Sequence, residues 1–254
     1  MAETPVSWRQ LVMPKEHGSW SLAFEPAAVG LCCAPSLGGV GLAIAIAAGF
    51  FARRPLRTMF RDPRETRRRQ ARQAVATCAG VAGLGVVGAM VLAGGGWLVW
   101  LLPAVVCGGI FAAFDLRNEG RQEGAEIAGA LAFASLPAAF GALALFSPAR
   151  AAALGLIMIA RAVPTVVFVR AAVRGRKLNQ VNLLPAAVAA TAAVLLAFAL
   201  AARGLAPAAA VVAMVFFLGR ISLVAFRPTM RAKQLGIFEA VAGIGFVITL
   251  GVTW

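Results

Sequence analysis

Nine apolar runs, each close to the length a helix needs to cross a bilayer, dominate this 254-residue chain. They lie at roughly 17 to 33, 36 to 52, 74 to 93, 97 to 114, 127 to 146, 149 to 169, 183 to 202, 206 to 226 and 236 to 253. At a rise of about 1.5 Å per residue, roughly 20 residues cross about 30 Å of hydrocarbon. That layer holds no water, so every backbone N–H and C=O must be satisfied within the protein, and only helices or closed barrels span it. The runs are too long and unbroken for barrel strands of about 10 residues. The expected fold is therefore all-α, a polytopic transmembrane bundle of about nine helices, with residues 1–254 forming one domain. Composition agrees: 61% of residues are hydrophobic and 13% charged, more apolar surface than a water-soluble domain of this size could hide.

The basic residues give the orientation, because cytoplasmic loops retain Lys and Arg. With the N-terminus inside, the inner side collects Arg9, Lys15, nine arginines between Arg53 and Arg72, Arg117, Arg121, Arg170, Arg174, Arg176, Lys177, Arg227, Arg231 and Lys233. Of the 24 basic residues only Arg150 and Arg203 fall outside, with Arg161 and Arg220 inside spans. The C-terminus is then extracytoplasmic. Residues Met1 to Glu16 carry Glu3, Arg9, Lys15 and Glu16 without an apolar run, so no cleavable signal is expected.

The net charge of +14 is mostly topology. The stretch from Arg53 to Arg72 has no aromatic platform and is tied to the membrane at both ends, which argues against nucleic acid and for anionic lipid headgroups. Cys32, Cys33, Cys78 and Cys107 sit in apolar runs without zinc-type spacing and read as small packing residues. Neither a P-loop nor an HExxH motif occurs. The small residues from Ala79 to Ala89 and from Ala186 to Ala202 read as close helix packing.

Ionisable groups inside spans are costly, and they mark candidate sites. Glu25 lies in the first span, Arg161 in the sixth, Arg220 in the eighth and Glu239 about one turn into the ninth. All four fall in the cytoplasmic half, where they can share one polar cavity. Pro164, three residues after Arg161, removes a backbone hydrogen bond and is expected to bend the helix there. The opposing reading is a set of ion pairs that brace the bundle, or long arginines that snorkel to the interface.

The first span opens with Met13-Pro14-Lys15-Glu16-His17-Gly18-Ser19-Trp20, which includes the single histidine. At 100° per residue His17, Ser21 and Glu25 share a face, whereas Glu16 points away from Glu25. A histidine near carboxylates can give or take a proton near neutral pH. Equally, Pro14 can begin the helix, Glu16 complement its positive end and Trp20 anchor the interface. The polar stretch from Asp115 to Glu126 is a solvated loop, except that Asp115 and Glu126 sit at the membrane edge.

Several of these segments together resemble the YwiC-like family of bacterial membrane proteins. They are Pro14-Lys15-Glu16-His17-Gly18-Ser19-Trp20, Glu25-Pro26, Asp115-Leu116-Arg117 leading to Ala128-Gly129-Ala130-Leu131, Ala160-Arg161-Ala162-Val163-Pro164 through Arg170, and Arg231-Ala232-Lys233-Gln234-Leu235-Gly236 with Glu239. The resemblance implies a multi-pass protein of the bacterial inner membrane. The nine-helix, N-in plan is also similar to that of the UbiA prenyltransferase superfamily, which holds a prenyl diphosphate through magnesium on aspartate-rich motifs after helices two and six. Here those places read Arg53-Arg54-Pro55-Leu56-Arg57, with only Asp62 and Glu65 beyond, and Arg170-Ala171-Ala172-Val173-Arg174. No metal site is expected, and no cofactor is assigned.

What the resemblance implies is an intramembrane enzyme for an isoprenoid or quinone-like lipid, with His17, Glu16 and Glu25 as candidate catalytic groups. Arg53, Arg54, Asp115, Arg161, Arg170, Arg220 and Glu239 are the candidate substrate-binding groups, because arginine forks hold phosphate or carboxylate heads directly. The alternative is a non-enzymatic membrane protein, either a small-anion transporter or a lipid-binding or assembly factor.

Overall fold

A computed structural model of the chain describes residues 7–13, 18–177, 181–226 and 232–254. Within them the fold is all-helical, without strands. A short helix α1 (Trp8–Val12) precedes α2 (Gly18–Cys33), α3 (Leu37–Arg61) and α4 (Glu65–Ala93). The fourth span starts as a 3₁₀ segment, Gly96–Leu101, and continues as α5 (Leu102–Leu116). The fifth is split into α6 (Glu123–Ala134) and α7 (Pro137–Leu143). Then follow α8 (Pro148–Lys177), α9 (Leu184–Ala202), α10 (Ala208–Phe226) and α11 (Ala232–Thr253).

Seven of these segments are long and apolar enough to cross a membrane, and the apolar parts of α2 and α10 are shorter. Together they match the nine expected runs. Leu84, Val91, Val105, Val212, Val241 and Val252, on four different helices, are each more than 60% exposed. Such a continuous apolar exterior is stable only against hydrocarbon, and the protein is a multi-pass membrane protein.

Several element boundaries differ from the apolar runs. Helices α3 and α4 continue well past the expected ends of their spans, at residue 52 and residue 74, because an arginine-rich segment leaving the bilayer can remain helical in water. The fifth span breaks at Ser135–Leu136: Pro137 has no N–H to donate, and the Ser135 hydroxyl instead donates to the Ala132 carbonyl at 3.2 Å. Helix α8, in contrast, is assigned as helix through Pro164 from end to end.

Packing rests on small residues where helices meet. A Cβ at Gly41 of α3 would stand 2.6 Å from the Gly85 carbonyl of α4, so the two backbones touch. Phe140 of α7 fills the notch at Gly30 of α2. Helix α8 lies among α2, α6, α7, α9 and α10, and α11 closes the bundle against α2. Cys33 and Cys78 are buried as packing residues; Cys32 is exposed, although its Cβ abuts Gly251 of α11.

Candidate functional site

Helices α2, α8, α10 and α11 bring Glu25, Arg161, Arg220 and Glu239 together. In α2, α10 and α11 the charged residue lies about two turns from the arginine-rich end of its helix, or about 10 Å along the axis. The Arg161 Nε faces Glu25 Oε1 at 3.2 Å, and its Nη2 faces Glu239 Oε2 at 3.5 Å. The same Glu239 oxygen accepts a hydrogen bond from Arg220 Nη1. Thr165 completes the network. Its hydroxyl accepts from Arg161 Nη1 and, at 2.8 Å, from Arg220 Nη2, and it donates to the Arg161 carbonyl at 2.7 Å. Both guanidiniums also lie over the Phe217 ring, Arg161 at 4.0 Å and Arg220 at 4.8 Å, with Phe168 4.8 Å from Arg220. Cation–π contact of this kind partly replaces the water that an arginine loses in the membrane.

The sequence pattern led us to expect an open polar cavity at this depth. Instead the four side chains fill their own space, with Arg161 and Arg220 only 3% and 2% exposed. The physical reason is that opposite charges in a low dielectric attract strongly, and two of each sign leave the group neutral when all are ionised. Even so, among the described residues Glu25 Oε1 and Glu239 Oε1 are buried without a well-aligned hydrogen-bond donor, and the Nε atoms of Arg161 and Arg220 without a well-aligned acceptor.

Thr165, Phe217 and Gly243, which belong to this cluster, were not singled out from sequence. Gly243 makes room for Glu25, for a Cβ there would stand 2.5 Å from Oε2. Each lies three or four residues from a charged member on its own helix, so helical spacing was the signal that could have found them.

The other candidates divide among separate places. Arg53 reaches Asp115 at 3.4 Å, joining α3 to the end of α5. Arg54 instead donates to the Met13 carbonyl at 2.6 Å and fastens the end of α1 to α3. Arg170 is bound to Glu126, to Glu123 at 3.5 Å and to the Arg121 carbonyl at 3.2 Å, all at the start of α6. Asp115 and Glu126 thus serve as partners of arginines. Glu16 and His17 lie outside the described residues. Just beyond α3, Asp62 accepts the Arg64 backbone N–H at 3.0 Å, which holds its carboxyl below the usual range. Among the described residues no three His, Cys, Asp or Glu side chains gather as metal ligands would.

At the opposite end is a recess of about 190 Å³ lined by Arg150, Gly204, Leu205, Ala206, Pro207, Thr253 and Trp254. Arg150 donates to the Trp254 carbonyl there at 2.6 Å. No residue proposed from sequence lies in it.

Neither a search of the curated proteins nor one of the solved structures finds a match to this chain. A family model described as YwiC-like protein, however, matches residues 13–140, just over half of the sequence. The matched stretch holds Glu25, Arg53, Arg54 and Asp115, and ends in α7. The apolar exterior, the arginine-rich end and the Glu25 helix therefore belong to a member of the YwiC-like family.

Proposed function

We propose that this membrane protein is an intramembrane enzyme acting on an isoprenoid or quinone-like lipid, similar in plan to the UbiA prenyltransferases but without their aspartate-rich magnesium motifs. The observation that carries the reading is the convergence of Glu25, Arg161, Glu239 and Arg220 from four helices inside the bilayer. Burying four charges is costly, and a brace alone is served as well or better by apolar packing.

In this reading Glu25 and Glu239, on either side of Arg161, act as acid and base. A double-bond shift along an unsaturated tail balances with these two groups: one carboxyl gives its proton to an alkene carbon, and the other carboxylate takes one from the allylic carbon. Arg161 and Arg220 are almost fully buried, so a lipid reaches them only if the surrounding helices part.

Lipid extraction and mass spectrometry of the purified protein test this. A polyprenyl or quinone species is expected in the wild type. Glu25→Gln is expected to lose that lipid, or its turnover, while melting within a few degrees of wild type. Absence of any such lipid from the wild type would refute the reading.

A second reading, small-anion transport, is favoured by the broken span at Ser135–Leu136, since transporters bind substrate at interrupted helices. Anion flux in proteoliposomes would distinguish it.

A further inference from the structure

Where α3 and α5 meet at the arginine-rich end, a carboxylate of the chain itself lies between two arginines. Asp115 is 8% exposed, with Arg53 Nη2 at 3.4 Å and Arg57 Nη1 at 4.0 Å from its Oδ1. Arg57 also donates to the Asn118 side-chain oxygen at 2.7 Å. The turn that presents Asp115 is tightly wound. Asn118 adopts φ 64°, a left-handed conformation that asparagine tolerates, and the Glu119 N–H donates to the Phe114 carbonyl at 2.9 Å. Gly120 presses on the carboxylate so closely that a Cβ would stand 2.6 Å from Oδ1.

The arginines are held less firmly than their partner. Their side chains are 37% and 49% exposed, and both separations exceed the roughly 2.7–2.9 Å of a good charge-assisted hydrogen bond. One carboxylate shared by two cations leaves a net positive charge. Along α3, Arg53 and Arg57 lie about 24 and 30 Å from Leu37, at the depth where hydrocarbon gives way to headgroups. Apolar surface continues inward from them. The Arg53 guanidinium lies over Phe111 of α5 at 4.6 Å, and one turn deeper Phe50 and Phe51 join Trp20 and Phe24.

We propose that Arg53 and Arg57 form a seat for the anionic head of a membrane amphiphile, and that Asp115 is the resident counter-ion which the head displaces. Phosphate or carboxylate oxygens then take the paired guanidinium contacts, and the apolar tail runs inward along the α3–α5 seam against Phe111. This rests on the lipid reading above and adds where the head is held and what competes with it.

The test is the melting temperature of the full chain in nanodiscs of phosphatidylcholine, with and without phosphatidylglycerol. A ligand that binds the folded state raises it. Asp115→Asn removes the competitor, so the rise on adding phosphatidylglycerol should be larger than in wild type. Arg57→Gln, which also removes the bond to Asn118, should make the rise smaller when each variant is compared with itself in pure phosphatidylcholine. Equal rises in wild type and both variants would overturn the proposal. So would a full rise from inorganic pyrophosphate in neutral nanodiscs, because the seat would then take a free anion. The probe is a glycerophospholipid, so the result is independent of whether an isoprenoid is retained at the buried cluster.

Discussion

Glu239 is bonded to two arginines and Arg220 to one carboxylate, and that asymmetry decides what single changes should do. Glu239→Leu leaves Arg220, among the described residues, with the Thr165 hydroxyl and two aromatic rings but no carboxylate in contact, and should cost about 3–5 kcal/mol, the usual penalty for stranding one member of a buried pair. Arg220→Met leaves Glu239 its contact with Arg161 at 3.5 Å and should cost less. The double variant keeps the neutral Glu25–Arg161 pair and should recover most of the loss. Unfolding in mixed detergent micelles measures all three. A double variant as unstable as Glu239→Leu alone would mean that Arg220 and Glu239 are not the coupled pair. Recovery of fold with continued loss of lipid or turnover would separate a chemical role from bracing.

At the scale of elements, α3 and α4 depend on bare backbone at one crossing. A Cβ at Gly85 or Gly41 would collide with the facing carbonyl, whereas Gly80, Gly83 and Gly88 on α4 have nothing within 4 Å. Gly41→Ala should therefore destabilise by about 1–3 kcal/mol, as over-packing does. Gly83→Ala should be neutral or slightly stabilising, since alanine is the better helix former by roughly 1 kcal/mol. Thermal unfolding of the two variants side by side checks this, and equal effects would contradict the assigned α3–α4 contact.

For the whole molecule, the two ends carry unequal numbers of basic residues. Arg53, Arg57 and Arg170 with their acidic partners gather at one end, and Arg150 lies at the other beside Trp254. The positive-inside rule assigns the first end to the cytoplasm. A reporter fused after Trp254 should be extracytoplasmic, and one inserted near Arg67 cytoplasmic. Reporters in the same compartment would change the span count by one and remove the depth assigned to the buried charges.

Much of this architecture was already determined by sequence alone, because the bilayer forces each apolar run of sufficient length into a helix whatever its neighbours do. The depth of Glu25, Arg161, Arg220 and Glu239 followed from counting residues at a fixed rise per residue. Which helices are neighbours did not follow, since hydrocarbon contacts every apolar face equally well and the runs carry no mark of their partners. Only the tertiary structure decided that Arg161 stands between Glu25 and Glu239, that Thr165 joins both arginines, and that Arg54 and Arg170 turn away to α1 and α6. It also closed the cluster that sequence left open, because charges placed at one depth by separate helices pair as soon as packing brings those helices together.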